Sequence, residues 1–176
     1  VEICNYMRDH AENGETIFYD IYTEEEKAAD QAKRDTGLFF FKGRFGTNRR
    51  GAETPGAKFA IVNAGGGFAY VGAMHDSFPH ALELSKMGYN AFALIYRPGA
   101  QTACEDLSRA IAFIFEHADE LNVDTADYSL WGGSAGGRMA DWVGTYGTEN
   151  FGEKAYPHPA AVIVNYTGLS EVTGYE

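Results

Sequence analysis

Residues 131 to 137 read Trp-Gly-Gly-Ser-Ala-Gly-Gly, and this stretch constrains the fold more than any other part of the chain. It contains Gly132-x-Ser134-x-Gly136. A short β-type run, Tyr128 to Trp131, precedes it, and a helical pattern, Ala135 to Tyr146, follows. As a bare string, G-x-S-x-G can be a glycine turn whose serine caps a helix. Between a strand and a helix, it meets the requirement for a sharp turn that lifts a serine hydroxyl clear of a sheet. Small residues two before and two after the serine let strand and helix approach closely enough for that turn. The serine then stands at a helix N-terminus, where free N–H groups and the helix dipole favour developing negative charge.

The rest of the chain supplies the strands and helices such a turn needs. Thr16 to Tyr22 alternates aromatic or β-branched residues with polar ones, a strand pattern. The acidic run Glu24-Glu25-Glu26 reads as a solvated turn or helix start. Leu38 to Phe41 is a short buried-type run, and residues 42–55 read as a loop. Lys58 to Asn63 and Tyr89 to Tyr96 are continuous apolar strands, and Ala160 to Tyr166 is a third. Phe78 to Met87 and Thr102 to Leu121 carry helical apolar stripes. Strands apolar throughout, alternating with helices, predict a mostly parallel sheet covered on both faces. The two leading strands, joined by short loops, predict an antiparallel edge.

A second glycine cluster, Ala64-Gly65-Gly66-Gly67-Phe68, follows the strand at Lys58 to Asn63. Acyl-transfer chemistry needs two or three N–H donors aimed at the oxyanion of a tetrahedral intermediate. Glycines let a backbone turn its N–H groups inward with no Cβ in the way. Phosphate readings fail on particular residues. Gly132-x-x-x-x-Gly137 is followed by Arg138-Met139, where a P-loop needs Lys and Ser or Thr. Gly65-x-Gly67 is followed by Tyr70 where a dinucleotide fingerprint needs its third glycine.

Composition removes further classes. With 14 basic against 25 acidic side chains the net charge is −11, which argues against nucleic acid or an anionic membrane as partner. Arg49-Arg50 is an isolated basic pair. No apolar run reaches transmembrane length. No signal-peptide pattern opens the chain, which leans toward a cytoplasmic location, although a first residue of Val1 leaves room for a removed leader. Cys4 and Cys104 lie too far apart for a CxxC site, and Cys104 reads as a buried small hydrophobe.

Taken together, Ala64 to Gly72, Phe78 to Phe92, Tyr96 to Gly99, Glu105 to Ile111 and Trp131 to Ala140 resemble the α/β-hydrolase superfamily. The nearer likeness is to its esterase and lipase branch with an HGGG-type loop, especially bacterial carbohydrate esterases of the acetylxylan-esterase-like kind. The resemblance runs from about Thr16 to Tyr166 and departs at Ala64, where the HGGG form has histidine. It implies Ser134 as nucleophile and Gly66, Gly67 and Ala135 as oxyanion donors. It implies no cofactor and no metal, and an acylated carbohydrate or small carboxylic ester as substrate. Phe68 and His75 are expected to line the pocket, with the His75-Asp76 pair at its mouth.

The resemblance also implies a histidine and an acid after Ser134, each following a later strand. Those strands are not in the sequence. His158 precedes Ala160 to Tyr166 in a surface-type turn, and Asp141 lies within the helix after Ser134; neither fits the order. His10 and His117 read as surface residues. A metal site from His75, Asp76 and His80 lacks a further ligand cluster. Residues 1–176 are thus expected to form a single but incomplete α/β-hydrolase domain. About 80 further residues, two βα units, would come from another segment or chain. The alternative from another functional class is a binding protein that keeps the fold without a working triad.

Overall fold

The computed structural model describes residues 1–43 and 56–168. Most of the loop reading over 42–55 lies outside the described residues, as do Arg49, Arg50, Glu171 and Glu176. Six strands form one sheet: β1 (Phe18–Asp20), β2 (Gly37–Phe41), β3 (Ala57–Asn63), β4 (Asn90–Ile95), β5 (Val123–Gly133) and β6 (Ala161–Asn165). The helices are α1 (Glu2–Glu12), α2 (Glu24–Ala29), α3 (Ser77–Lys86), α4 (Ala100–Glu116), α5 (Ala118–Leu121) and α6 (Ala135–Tyr146). Strand order across the sheet is β1-β2-β4-β3-β5-β6. β1, β2 and β4 pair antiparallel in turn, whereas β4, β3, β5 and β6 run parallel. Both the parallel body and the antiparallel edge match the expectation.

Side-chain alternation explains why helices cover both faces. Along β4, Phe92 and Leu94 point to one face, into a cluster with Leu107 and Ile111 of α4 and Met139 of α6. Ala91 and Ala93 point to the other, where Phe78 and Leu82 of α3 and Tyr6 of α1 pack. Each fully buried Phe or Leu contributes about 1.5–3 kcal/mol relative to exposure. The heavier face also holds Phe40 stacked on Phe92 at 4.7 Å and Phe59 stacked on Tyr128 at 4.8 Å. On the lighter face alanines let α3 lie close to the sheet.

Two elements differ from the sequence reading, and a third decides between its two alternatives. α1 was not foreseen: Ile3, Tyr6 and Met7 pack one face of Glu2–Glu12 against the core, with Tyr6 buried, and the rest of the helix is mostly polar. The run Thr102 to Leu121 is broken at His117, whose φ of −111° leaves the helix, and α5 ends at Asn122 in the left-handed region. The acidic run Glu24-Glu25-Glu26 is the first turn of α2. Thr23 accepts from the Glu26 N–H and the Glu26 carboxylate accepts from the Thr23 N–H, a reciprocal cap.

The turn between β4 and α4 is tied to the N-terminal hairpin by ion pairs. Asp106, fully buried, accepts from the Arg97 backbone N–H at 2.7 Å, from its Nη2 at 2.7 Å and from the Tyr22 hydroxyl at 2.6 Å. Arg97 Nη1 reaches on to Asp30 at 2.9 Å. Burial and the adjacent Asp106 charge push the Tyr22 phenol well above its ordinary pKa.

Cys104 is buried in α4, as expected, and Cys4 is exposed. Burial pushes the Cys104 thiol up to about 12, so little thiolate is present near neutrality. Titration of the folded protein with a chromogenic disulfide should therefore modify Cys4 promptly. Cys104 should react only once the chain is unfolded. Equal rates for the two thiols would contradict this burial. No helix among the described residues is long and apolar enough to cross a membrane.

Candidate active site

β5 runs directly into α6 through Ser134, with no intervening loop. Ser134 adopts φ 51° and ψ −123°, a strained backbone for any residue with a Cβ. The surroundings over-determine it: its N–H donates to the Asn165 carbonyl at 3.0 Å, and its carbonyl accepts from the Arg138 N–H at 3.0 Å. The flanking glycines are required by contact. A Cβ on Gly132 would lie 2.2 Å from the Gly136 carbonyl oxygen, and one on Gly136 would lie 2.0 Å from the Asn63 carbonyl oxygen. Both obstacles are backbone and cannot swing away. Gly136→Ala is expected to cost about 3 kcal/mol, the upper range for overpacking, and calorimetry should show it as a lowered Tm. An unchanged Tm would mean that α6 can slide off β3 without penalty.

The glycine loop leaves β3, the neighbour of β5, with Asn63 in register with Gly132. This pairing brings together two halves of a site far apart in sequence. The loop is held almost entirely by its carbonyls. Ala64 accepts from the Tyr96 hydroxyl at 2.6 Å, and Gly65 accepts from the Gly72 N–H at 2.9 Å. Gly66 accepts from Ala69 at 3.1 Å, and Phe68 accepts from the Gly99 N–H at 2.8 Å. Gly66 has φ 146° and a Cβ there would sit 2.0 Å from the Tyr70 carbonyl oxygen, so only glycine fits this turn. Among the described residues, the N–H groups of Gly66 and Gly67 have no acceptor. Ala135 is the first residue of α6, whose opening N–H groups lack intrahelical partners.

Gly65, Gly66, Gly67, Tyr70, His75, Asp76, Ser134 and Tyr166 wall an open cleft of about 480 Å³. Ser134, Gly66, Gly67 and His75 are thus brought together, as the sequence suggested. Phe68 is not among the walls. It is buried, 6% exposed, with its ring parallel to Trp142 at 6.3 Å, so the expectation that it lines the pocket is corrected. A left-handed backbone at Phe68, φ 56°, turns the side chain under the loop instead. The exposed rings of Tyr70 and Tyr166 stand in the wall where Phe68 was expected.

Asp76 lies at the cleft with His75, as expected, but its bond to the Gly65 N–H was not foreseen, and neither was Tyr166. Asp76 Oδ2 accepts from the Gly65 N–H at 2.6 Å. The Tyr166 phenol packs against Gly133 and faces the same carboxylate. Desolvation and the neighbouring Asp76 carboxylate raise its pKa. An aspartate ahead of a helix and a tyrosine at the end of a strand were the only signals available.

The remaining histidines lie elsewhere. His158 donates from Nδ1 to the Gly144 carbonyl at 2.8 Å, in the segment before β6 and so at the opposite end of the strands from Ser134. His10 pairs with Glu15 and His117 with Glu120, both away from the cleft. His80 lies 3.9 Å from Asp76 but does not line the cleft. No three His, Cys, Asp or Glu side chains among the described residues converge as metal ligands.

Comparison with known proteins decides the family. Residues 50–175 match the family model described as BD-FAE. The chain belongs to the BD-FAE family. In fold, this BD-FAE chain superposes with a TM-score of 0.69 on an acetyl ester-xyloside bifunctional hydrolase from Caldicellulosiruptor lactoaceticus, at 25% identity over 85% of its length and 56% of that chain. It also matches MGS-M1, an α/β hydrolase enzyme from a Medee basin deep-sea metagenome library (TM-score 0.67, 19% identity, covering 90% and 59%). A third likeness is to Thermogutta terrifontis esterase 2 (TM-score 0.66, 20% identity, covering 85% and 55%). The fold of the BD-FAE chain is therefore that of the α/β hydrolases, and it spans 55–59% of the length of these neighbours. No curated protein matches the sequence.

Proposed function

We propose that this chain carries the nucleophile and oxyanion hole of a serine ester hydrolase acting on acylated carbohydrate or small carboxylic esters. The observation that carries the reading is the pair of unpartnered N–H groups at Gly66 and Gly67, in one cleft wall with the strained Ser134. Ser134 Oγ bonds to the ester carbonyl carbon, and the carbonyl oxygen becomes an oxyanion held by Gly66, Gly67 and Ala135. Collapse expels the alcohol, which takes the proton given up by Ser134, and leaves an acyl-serine. Water then adds to the acyl carbon, the serine leaves with a proton, and the carboxylic acid departs. A histidine to carry the proton and an acid to orient it are assigned to a segment outside these 176 residues.

Carbohydrate esters are favoured by two observations. The matched Caldicellulosiruptor protein is named as an acetyl ester-xyloside hydrolase. The cleft also exposes two tyrosine rings, Tyr70 at 63% and Tyr166 at 72%, suited to lie against a sugar face. The test uses the complete protein, residues 1–176 together with the segment that supplies the histidine and the acid, with p-nitrophenyl acetate, acetylated xylo-oligosaccharide and a fluorophosphonate probe. Release of acetate from both substrates, with a single probe adduct on Ser134, is expected. An adduct on another residue overturns the mechanism. Substrate binding with neither turnover nor adduct returns the chain to the binding-protein alternative.

A further inference from the structure

The oxyanion loop is fixed by its carbonyls at Ala64, Gly65, Gly66 and Phe68, and by one N–H, that of Gly65. The acceptor of that N–H is Asp76, 9% exposed, and its placement is unusual. Asp76 precedes α3 as its N-cap, where an aspartate ordinarily accepts from the first free N–H groups of its own helix. Its side chain makes no such cap. The carboxylate turns across the cleft instead, to Gly65 at 2.6 Å and to the Tyr166 phenol. A carboxylate taken largely out of water must be compensated by hydrogen bonds, and the Gly65 N–H supplies one. One side chain thus joins the turn after β3, the start of α3 and the end of β6 around Ser134.

We propose that Asp76 is a positioning residue. Its carboxylate clamps the Gly65 peptide, so that the next two N–H groups, of Gly66 and Gly67, stay aimed into the cleft, and Tyr166 holds the carboxylate in place. The inference rests on the ester-hydrolase reading for its catalytic consequence, and on the geometry alone for the clamp. With Asp76 replaced, the Gly65 N–H loses its acceptor and the loop is held by carbonyls only. Substrate still enters the cleft, but the oxyanion meets donors out of place.

The test compares Asp76→Ala, Asp76→Asn and Tyr166→Phe with the native sequence, each in the complete protein that includes the segment supplying the histidine and the acid. Two readouts are followed: turnover of p-nitrophenyl acetate, and amide hydrogen exchange at Gly65 by NMR. Asp76→Ala should lower kcat about 10²-fold, the scale of a misplaced reacting group, with KM nearly unchanged. Asp76→Asn keeps an acceptor oxygen for Gly65 and should return kcat to within about tenfold of native. Gly65 should exchange slowly in the native and Asn forms and rapidly in the Ala form. In Asp76→Asn the Tyr166 phenol should titrate at a lower pH than in the native chain, since the neighbouring negative charge is gone; Tyr166→Phe identifies that transition by removing it.

Slow exchange at Gly65 in Asp76→Ala would overturn the clamp. Rapid exchange with undiminished kcat would overturn its catalytic role. A native chain that neither turns over ester nor takes the fluorophosphonate removes the ester-hydrolase reading and the catalytic half of the proposal with it, while exchange at Gly65 still decides the clamp.

Discussion

Ser134→Ala should abolish ester turnover, lowering kcat by about 10⁶-fold, the scale seen when a catalytic serine is removed. The proposed oxyanion donors are backbone groups and survive the substitution. A residual rate above that of water is therefore expected, on the order of 10³-fold. The folded state should be undisturbed or slightly relieved, because alanine carries the same Cβ through the φ of 51° that serine now adopts. Stability and activity should thus separate: Tm close to native, p-nitrophenyl acetate turnover lost, and no adduct with a fluorophosphonate. Turnover that survives the substitution would remove Ser134 from the reaction whatever its geometry.

The second large effect is predicted for Asp106→Ala, far from the nucleophile. The substitution strips Arg97 and Tyr22 of a partner that is completely buried. Removing one member of a buried pair leaves an uncompensated charge and costs about 3 kcal/mol or more. At about 2–4 °C per kcal/mol for a chain of this size, thermal unfolding should move down by roughly 6–12 °C. Activity should fall too. The same turn that Asp106 organises sends the Tyr96 hydroxyl to Ala64 and the Gly99 N–H to Phe68, two of the anchors of the glycine loop. Asp106→Asn, which keeps the shape and one acceptor, should lose less on both measures. A variant as stable as the native chain would show that the Arg97 guanidinium is satisfied by Asp30 alone, against the accounting given for buried ions.

Those anchors mark the limit of what could be read from the sequence. The glycine–serine–glycine turn was legible because contact requires its residues: Gly132 and Gly136 face backbone oxygens that no side chain could share space with. α6 was legible over its full span, Ala135–Tyr146, because the turn fixes its start and Gly147 its end. The parallel body followed from strands that are apolar on both faces. α1 went unread although Ile3, Tyr6 and Met7 share one face, because so short a stripe among polar residues is a weak signal. Phe68 was misplaced because its direction depends on a positive φ that nothing local announces. Asp76 and Tyr166 meet across strands whose separation in sequence is ninety residues (76 to 166), and only the sheet order brings them together.

The glycine loop has its carbonyls engaged before any substrate arrives. Turning the Gly66 or Gly67 N–H out of the cleft means inverting a peptide plane whose carbonyl, that of Gly65 or Gly66, already accepts from Gly72 or from Ala69 and Tyr70. Hiding those N–H groups therefore costs hydrogen bonds that the loop already makes, so the arrangement an incoming carbonyl oxygen would meet is present in the empty cleft.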